Sequence, residues 1–90
     1  MDLALKELLK TLLSKKCIGG KHLPEDLLLK GILISLTKEG RKGFYRTYKM
    51  AINEHWIFRV KKRTGKGSDW HISINPQKLS EIYRGLEEYE

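Results

Sequence analysis

Lys38, Lys42, Arg46, Lys49 and Asn53 recur every three or four residues along a segment whose apolar members Phe44, Tyr48, Ala51 and Ile52 keep the same period. At about 100° per residue, the four cations and the amide share an arc of about 80°, opposite the apolar stripe. Lysines reach phosphates as point charges, whereas the fork of Arg46 and the amide of Asn53 match the edges of guanine and adenine. The alternative is a solvated helix face. Such faces usually mix signs, and here only Glu39 intrudes near the arc. A second cluster follows at Arg59, Lys61, Lys62, Arg63 and Lys66, with Gly65 and Gly67 in the same stretch. Those glycines would let a backbone approach a phosphate closely, although a hairpin turn needs glycine in any case.

Other chemistries find little support. Residues 65–68 read GKGS, but the full G-x-x-x-x-G-K-[ST] spacing of a phosphate-binding loop is absent. Cys17 and His22 flank Gly19-Gly20, while His55 and His71 lie far along the chain. Without paired ligand spacing, no metal is expected and the histidines read as unrelated. The domain should then fold without an ion. Neither a nucleophilic triad nor a carboxylate pair emerges, so no catalytic residue and no cofactor is assigned. Trp56 and Trp70 could stack on unpaired bases. Both share the apolar phase of their strands, which favours the core. Tyr45 borders the basic helix face and is open to either role.

Ninety residues make one small domain, in which an enzyme pocket would compete with the core for volume. Forty per cent hydrophobic and 32% charged residues suit a packed chain and not a disordered one. The net charge is +7 and the pI near 9.6, the balance of a protein with a polyanionic partner. That excess is concentrated. Residues 38–66 carry ten basic side chains against Glu39 and Glu54, whereas residues 67–90 carry two basic and five acidic. A single cysteine forms no internal disulfide, and the N-terminal stretch, with Asp2, Lys6, Glu7 and Lys10, lacks signal-peptide character. No apolar run approaches membrane-spanning length. A cytoplasmic protein is expected.

The elements that must position these residues follow from periodicity. Residues 3–16 form a leucine-striped helix, with Lys6 and Lys10 off the stripe and Gly19-Gly20 after it. Pro24, Glu25 and Asp26 open a second helix to residue 33. Its apolar residues nearly surround it, so it should be the most buried element; Ile32 and Ile34 leave open a short strand near 32–36. Thr37 caps a third helix over 37–54, with Gly40 and Gly43 expected to fray or distort its start. Trp56, Phe58 and Val60 alternate with Ile57, Arg59 and Lys61, and Trp70, Ile72 and Ile74 with His71, Ser73 and Asn75. A Gly-rich loop joins them as a hairpin over 56–74 with the tryptophan phase inside. A last amphipathic helix spans 76–89, with Leu79, Ile82, Tyr83 and Leu86 inside.

The fold class is therefore α+β and mostly helical: three helices, a hairpin, and a C-terminal helix. INEHWIFRVKK resembles the end of a recognition helix passing into a wing strand, and RTGKGSDWHISINP resembles the wing and its return. With Lys21-His22-Leu23-Pro24-Glu25, these segments are similar to the winged helix-turn-helix family, notably small archaeal winged-helix proteins. The likeness covers roughly residues 3–75 and is architectural. Joined to the basic third helix and basic wing, that architecture predicts non-catalytic binding of double-stranded DNA, with transcriptional regulation as one use. The third helix would lie in the major groove and the wing along the backbone. Homodimerisation through the first helix, or through Tyr83 and Leu86 of the last, would match a palindromic site. RNA binding within a ribonucleoprotein and a protein-interaction module are the rival readings.

Overall fold

Asp2 starts the first helix by accepting hydrogen bonds at Oδ2 from the backbone N–H groups of Ala4 and Leu5, at 3.1 and 3.2 Å. The computed structural model describes residues 2–64 and 67–87. Helix α1 (Leu3–Ser14) is followed by strand β1 (Leu23–Pro24), helix α2 (Glu25–Leu33) and helix α3 (Lys38–Asn53). Strands β2 (Ile57–Thr64) and β3 (Gly67–Ile74), a 3-10 turn (Pro76–Lys78) and helix α4 (Leu79–Glu87) complete it. Among the described residues the fold is α+β, with four helices and a three-stranded antiparallel sheet of order β1-β3-β2. Among the described residues, no helix is long and apolar enough to cross a membrane.

The core is built on α1, whose Ala4, Leu5, Leu8, Leu9 and Leu12 are buried against Phe44, Tyr48 and Ala51 of α3 and Ile57, Ile72 and Ile74 of the sheet. This corrects the expectation that α2 is the most buried element. Only Glu25 and Leu29 of α2 are buried, and Leu27 is 71% exposed. Lys6, expected off the stripe of α1, is also buried. The short strand is Leu23–Pro24, not 32–36, where α2 gives way to a turn. It exists because Leu23 pairs with Ile72 and Pro24 with His71, a long-range register that two residues do not announce. Leu86 is in the core, leaving Tyr83 as the exposed aromatic of α4.

Two helices end in the same way. The Cys17 N–H donates to the Leu12 carbonyl and the Lys16 N–H to that of Leu13, while Lys16 adopts φ +56°. At the end of α3 the Trp56 N–H donates to Ala51 and the His55 N–H to Ile52, with His55 at φ +62°. Both are Schellman stops, in which a left-handed residue turns the chain and the next one folds back on the last turn. Glycine normally holds that position; lysine and histidine hold it here. Helix α1 therefore ends at Ser14, two residues earlier than expected and before the glycine pair is reached. Asn75 braces the second stop, donating through Nδ2 to the His55 carbonyl at 2.8 Å.

The second stop also resets the hairpin. Trp56 belongs to the helix end, where it packs partly buried and donates from Nε1 to Glu81. Alternation alone expects it in the core at the head of β2, but it is only partly buried and the strand begins at the buried Ile57. Phe58 and Val60 consequently face outward at 40% and 42% exposure, and the expected inward phase of β2 is inverted.

A left-handed backbone costs an L-residue about 1 kcal/mol relative to glycine. His55→Gly should therefore raise stability by about 0.5–1 kcal/mol, measured as a higher urea midpoint at unchanged m-value.

Candidate functional site

Helix α3 is regular from its first residue. Thr37 Oγ1 accepts from the Gly40 N–H at 3.0 Å, and a Cβ on Gly40 would stand 3.3 Å from that oxygen and 3.5 Å from Leu36. Gly40 thus makes room for the cap, and the expected fraying is absent. Arg41 donates from Nε to the Leu33 carbonyl at 3.1 Å, tying the start of α3 to the end of α2. Phe44 stacks on Tyr48 with ring centroids 5.5 Å apart, turning that side of the helix inward. The opposite side carries Lys38, Lys42, Arg46, Lys49 and Asn53, all exposed, with the exposed Tyr45 beside them. The structure therefore brings the five helix residues onto one open face, as their spacing requires.

The hairpin cations separate. Arg59 and Lys61 share the helix-facing side of the sheet with Trp70, and Lys62 lies on the other side opposite Asp69. Arg63 continues the Lys61 side at the far end of β2, opposite Ser68. Lys66, at the expected tip, lies outside the described residues. Trp70 is 38% exposed and is not core; the Arg59 guanidinium lies 3.9 Å from its ring centroid and the Lys61 ammonium 5.7 Å. Cations over an indole face are held by its quadrupole, so Trp70 organises part of the basic surface.

Arg59 is not a free phosphate contact. Its Nε and Nη2 donate to the two carboxylate oxygens of Glu25, at 2.7 and 3.0 Å. Tyr48 donates its hydroxyl to the same Glu25 Oε2. Glu25 is 6% exposed. Burial pushes its carboxyl up, but the hydrogen bonds from Arg59 and Tyr48, with the Arg59 charge, outweigh that and hold it below the ordinary 4.5. The Tyr48 hydroxyl is pushed up by burial and by its bond to the carboxylate. Glu25 and Tyr48 escape the sequence reading as parts of the site, and Trp70, weighed there as a base-stacking residue, is assigned to the core instead. The only signal was Glu25 as an acid in the first turn of α2, where a helix dipole would explain it equally well.

The histidines are also not unrelated. His22, just before β1, and His71 of β3 bring their Nδ1 atoms to 3.0 Å with the rings edge to face. Among the described residues, no three His, Cys, Asp or Glu side chains converge as metal ligands. Cys17 is fully buried and free.

Removing one partner of a buried ion pair costs about 3 kcal/mol or more, and less where the remaining group reaches water. Arg59→Ala, which leaves the buried Glu25 carboxylate with Tyr48 alone, should lose about 3 kcal/mol, and Glu25→Ala, which leaves an Arg59 able to reach water, about 2, whereas Arg63→Ala should stay within about 0.5. Because the folded-state pKa of Glu25 is depressed, its contribution is complete above pH 4.5 and disappears as the pH falls through the lower folded value. Urea melts at neutral pH and near pH 3 should show the Glu25→Ala deficit shrinking in acid. A deficit unchanged by pH would mean that the carboxylate charge is not what stabilises the junction.

No known protein family, curated protein or solved structure matches this chain. What it does is read from its own geometry and charge.

Proposed function

We propose that the chain is a winged helix-turn-helix domain that binds double-stranded DNA without catalysis. The element order, with a short strand between the first two helices and a hairpin after the third, supports that reading. So does the β1-β3-β2 sheet. The observation that carries it is the α3 face, where Lys38, Lys42, Arg46, Lys49 and Asn53 are all exposed. Helix α3 is the element for the major groove, and Lys61, Lys62 and Arg63 follow the adjacent backbone. Arg46 and Asn53 are the candidates for reading base edges; the lysines supply counterion release. Arg59 is left out, because its charge is engaged by Glu25. A second copy paired through the exposed Leu3 of α1 or the exposed Tyr83 of α4 would suit a palindromic site.

One observation favours RNA as the second reading. Trp70 is an exposed indole with basic side chains at its ring, an arrangement suited to stacking an unpaired base. Duplex DNA and matched single-stranded and duplex RNA, compared at two salt concentrations, separate the readings.

Neutralising five or six phosphates gives log K against log salt a slope of about −5. Arg63→Ala should weaken all duplexes alike and reduce the slope by about one. Arg46→Ala should cost about 1–3 kcal/mol on a preferred sequence and much less on random DNA. Identical, sequence-blind losses from both variants would leave a non-specific binder. No loss from either would end the nucleic-acid reading.

A further inference from the structure

The outward face of the sheet carries two imidazoles that the nucleic-acid reading does not use. Their positions are fixed by the β-ladder. His71 sits within β3, opposite Val60 of β2 and Pro24 of β1, and the Leu23–Ile72 pairing places His22 beside it. Without an ion, one Nδ1–H donates to the other Nδ1, so one ring carries its proton on Nδ1 and the other on Nε2. Two ring nitrogens, one in β3 and one just before β1, lie 3.0 Å apart, already near the separation that a transition ion imposes on its ligands. With metal–nitrogen bonds of about 2.05 Å, neighbouring ligands stand about 2.9 Å apart in a tetragonal site and about 3.3 Å in a tetrahedral one.

We propose that His22 and His71 form a two-imidazole site for a borderline divalent transition ion such as Cu2+ or Zn2+, bound through both Nδ1 atoms. The ring that donated moves its proton from Nδ1 to Nε2, so both nitrogens present lone pairs and both imidazoles stay neutral. For both lone pairs to meet at one ion, each ring turns by roughly 40° so that its Nδ1 points off the N···N axis toward a common point. No third protein donor converges among the described residues, so water fills the remaining positions. The ion ties the residue that enters β1 to β3, fastening an edge held by two paired positions. Lys62 lies on this face, with Asp69 opposite it on β3. The same Lys62 charge weakens ion binding, which places the site among open, exchangeable ones and not among cages needed for folding.

The test uses the full chain without an affinity tag. Cu2+ titrated at pH 7.5 and followed by electron paramagnetic resonance should saturate at one ion per chain with the nitrogen splitting of two imidazoles. The signal should be lost at pH 5, where protons compete for the ring nitrogens. Zn2+ at saturating concentration should raise Tm by about 5 °C or more. His22→Ala and His71→Ala should each abolish both responses, and His55→Gly should keep them. Melts without metal establish that each variant folds; His71→Asn and His22→Gln replace any that does not. Absence of saturable binding, or a nitrogen signature that survives loss of both His22 and His71, would overturn the proposal. Neither result depends on whether the chain binds nucleic acid.

Discussion

The Glu25 carboxylate sits where α2, α3 and β2 meet, accepting two hydrogen bonds from Arg59 of β2 and one from Tyr48 of α3. Arg59 brings the β2 side and Tyr48 the α3 side, while Glu25 itself occupies the first turn of α2. A carboxylate taken from water is tolerated only when such donors arrive in the right geometry. That requirement fixes three elements relative to one another more narrowly than apolar contact does, since apolar packing has no preferred direction. Tyr48 lies on the same helix as Arg46 and Lys49, and Arg59 on the same strand as Lys61 and Arg63. The angle between the two cationic clusters therefore depends on one buried acid.

The parts of this arrangement that follow from local periodicity were legible in the sequence. The apolar stripe of Phe44, Tyr48, Ala51 and Ile52 fixes which way α3 faces, and the cations opposite it are necessarily outward. The boundaries of α2 and α3 follow from Pro24 and Thr37, and the hairpin from its two alternating runs. The phase of β2 was not legible, because alternation names two faces without saying which is inner. The Schellman stop at His55 draws Trp56 into the helix end, so the first inward residue is Ile57, and every later side chain changes sides with it.

What remained hidden depends on residues distant in the chain. Arg59 resembles its cationic neighbours in sequence, yet its partner is 34 positions away. His22 and His71 are separated by 49 positions and meet only through the pairing of a two-residue strand. Trp70 belongs to the same sheet face as Ile72 and Ile74, but that face outruns the helices that cover it. Strand alternation describes the direction of a side chain and not how far the core extends.

Strand β2 is an outer edge of the sheet, eight residues long, with β3 on one side only. Exposed edges of that length are templates for another strand, and outward-facing Phe58 and Val60 would reward such pairing. Lys61, Lys62 and Arg63 stand on the same edge. Two copies approaching edge to edge would bring like charges together before any ladder hydrogen bond formed. These cations thereby keep the strand from joining its own kind. A charge-removing change at Lys61 or Lys62 would weaken that self-avoidance even where the fold itself is untouched, and its first symptom would be lower solubility.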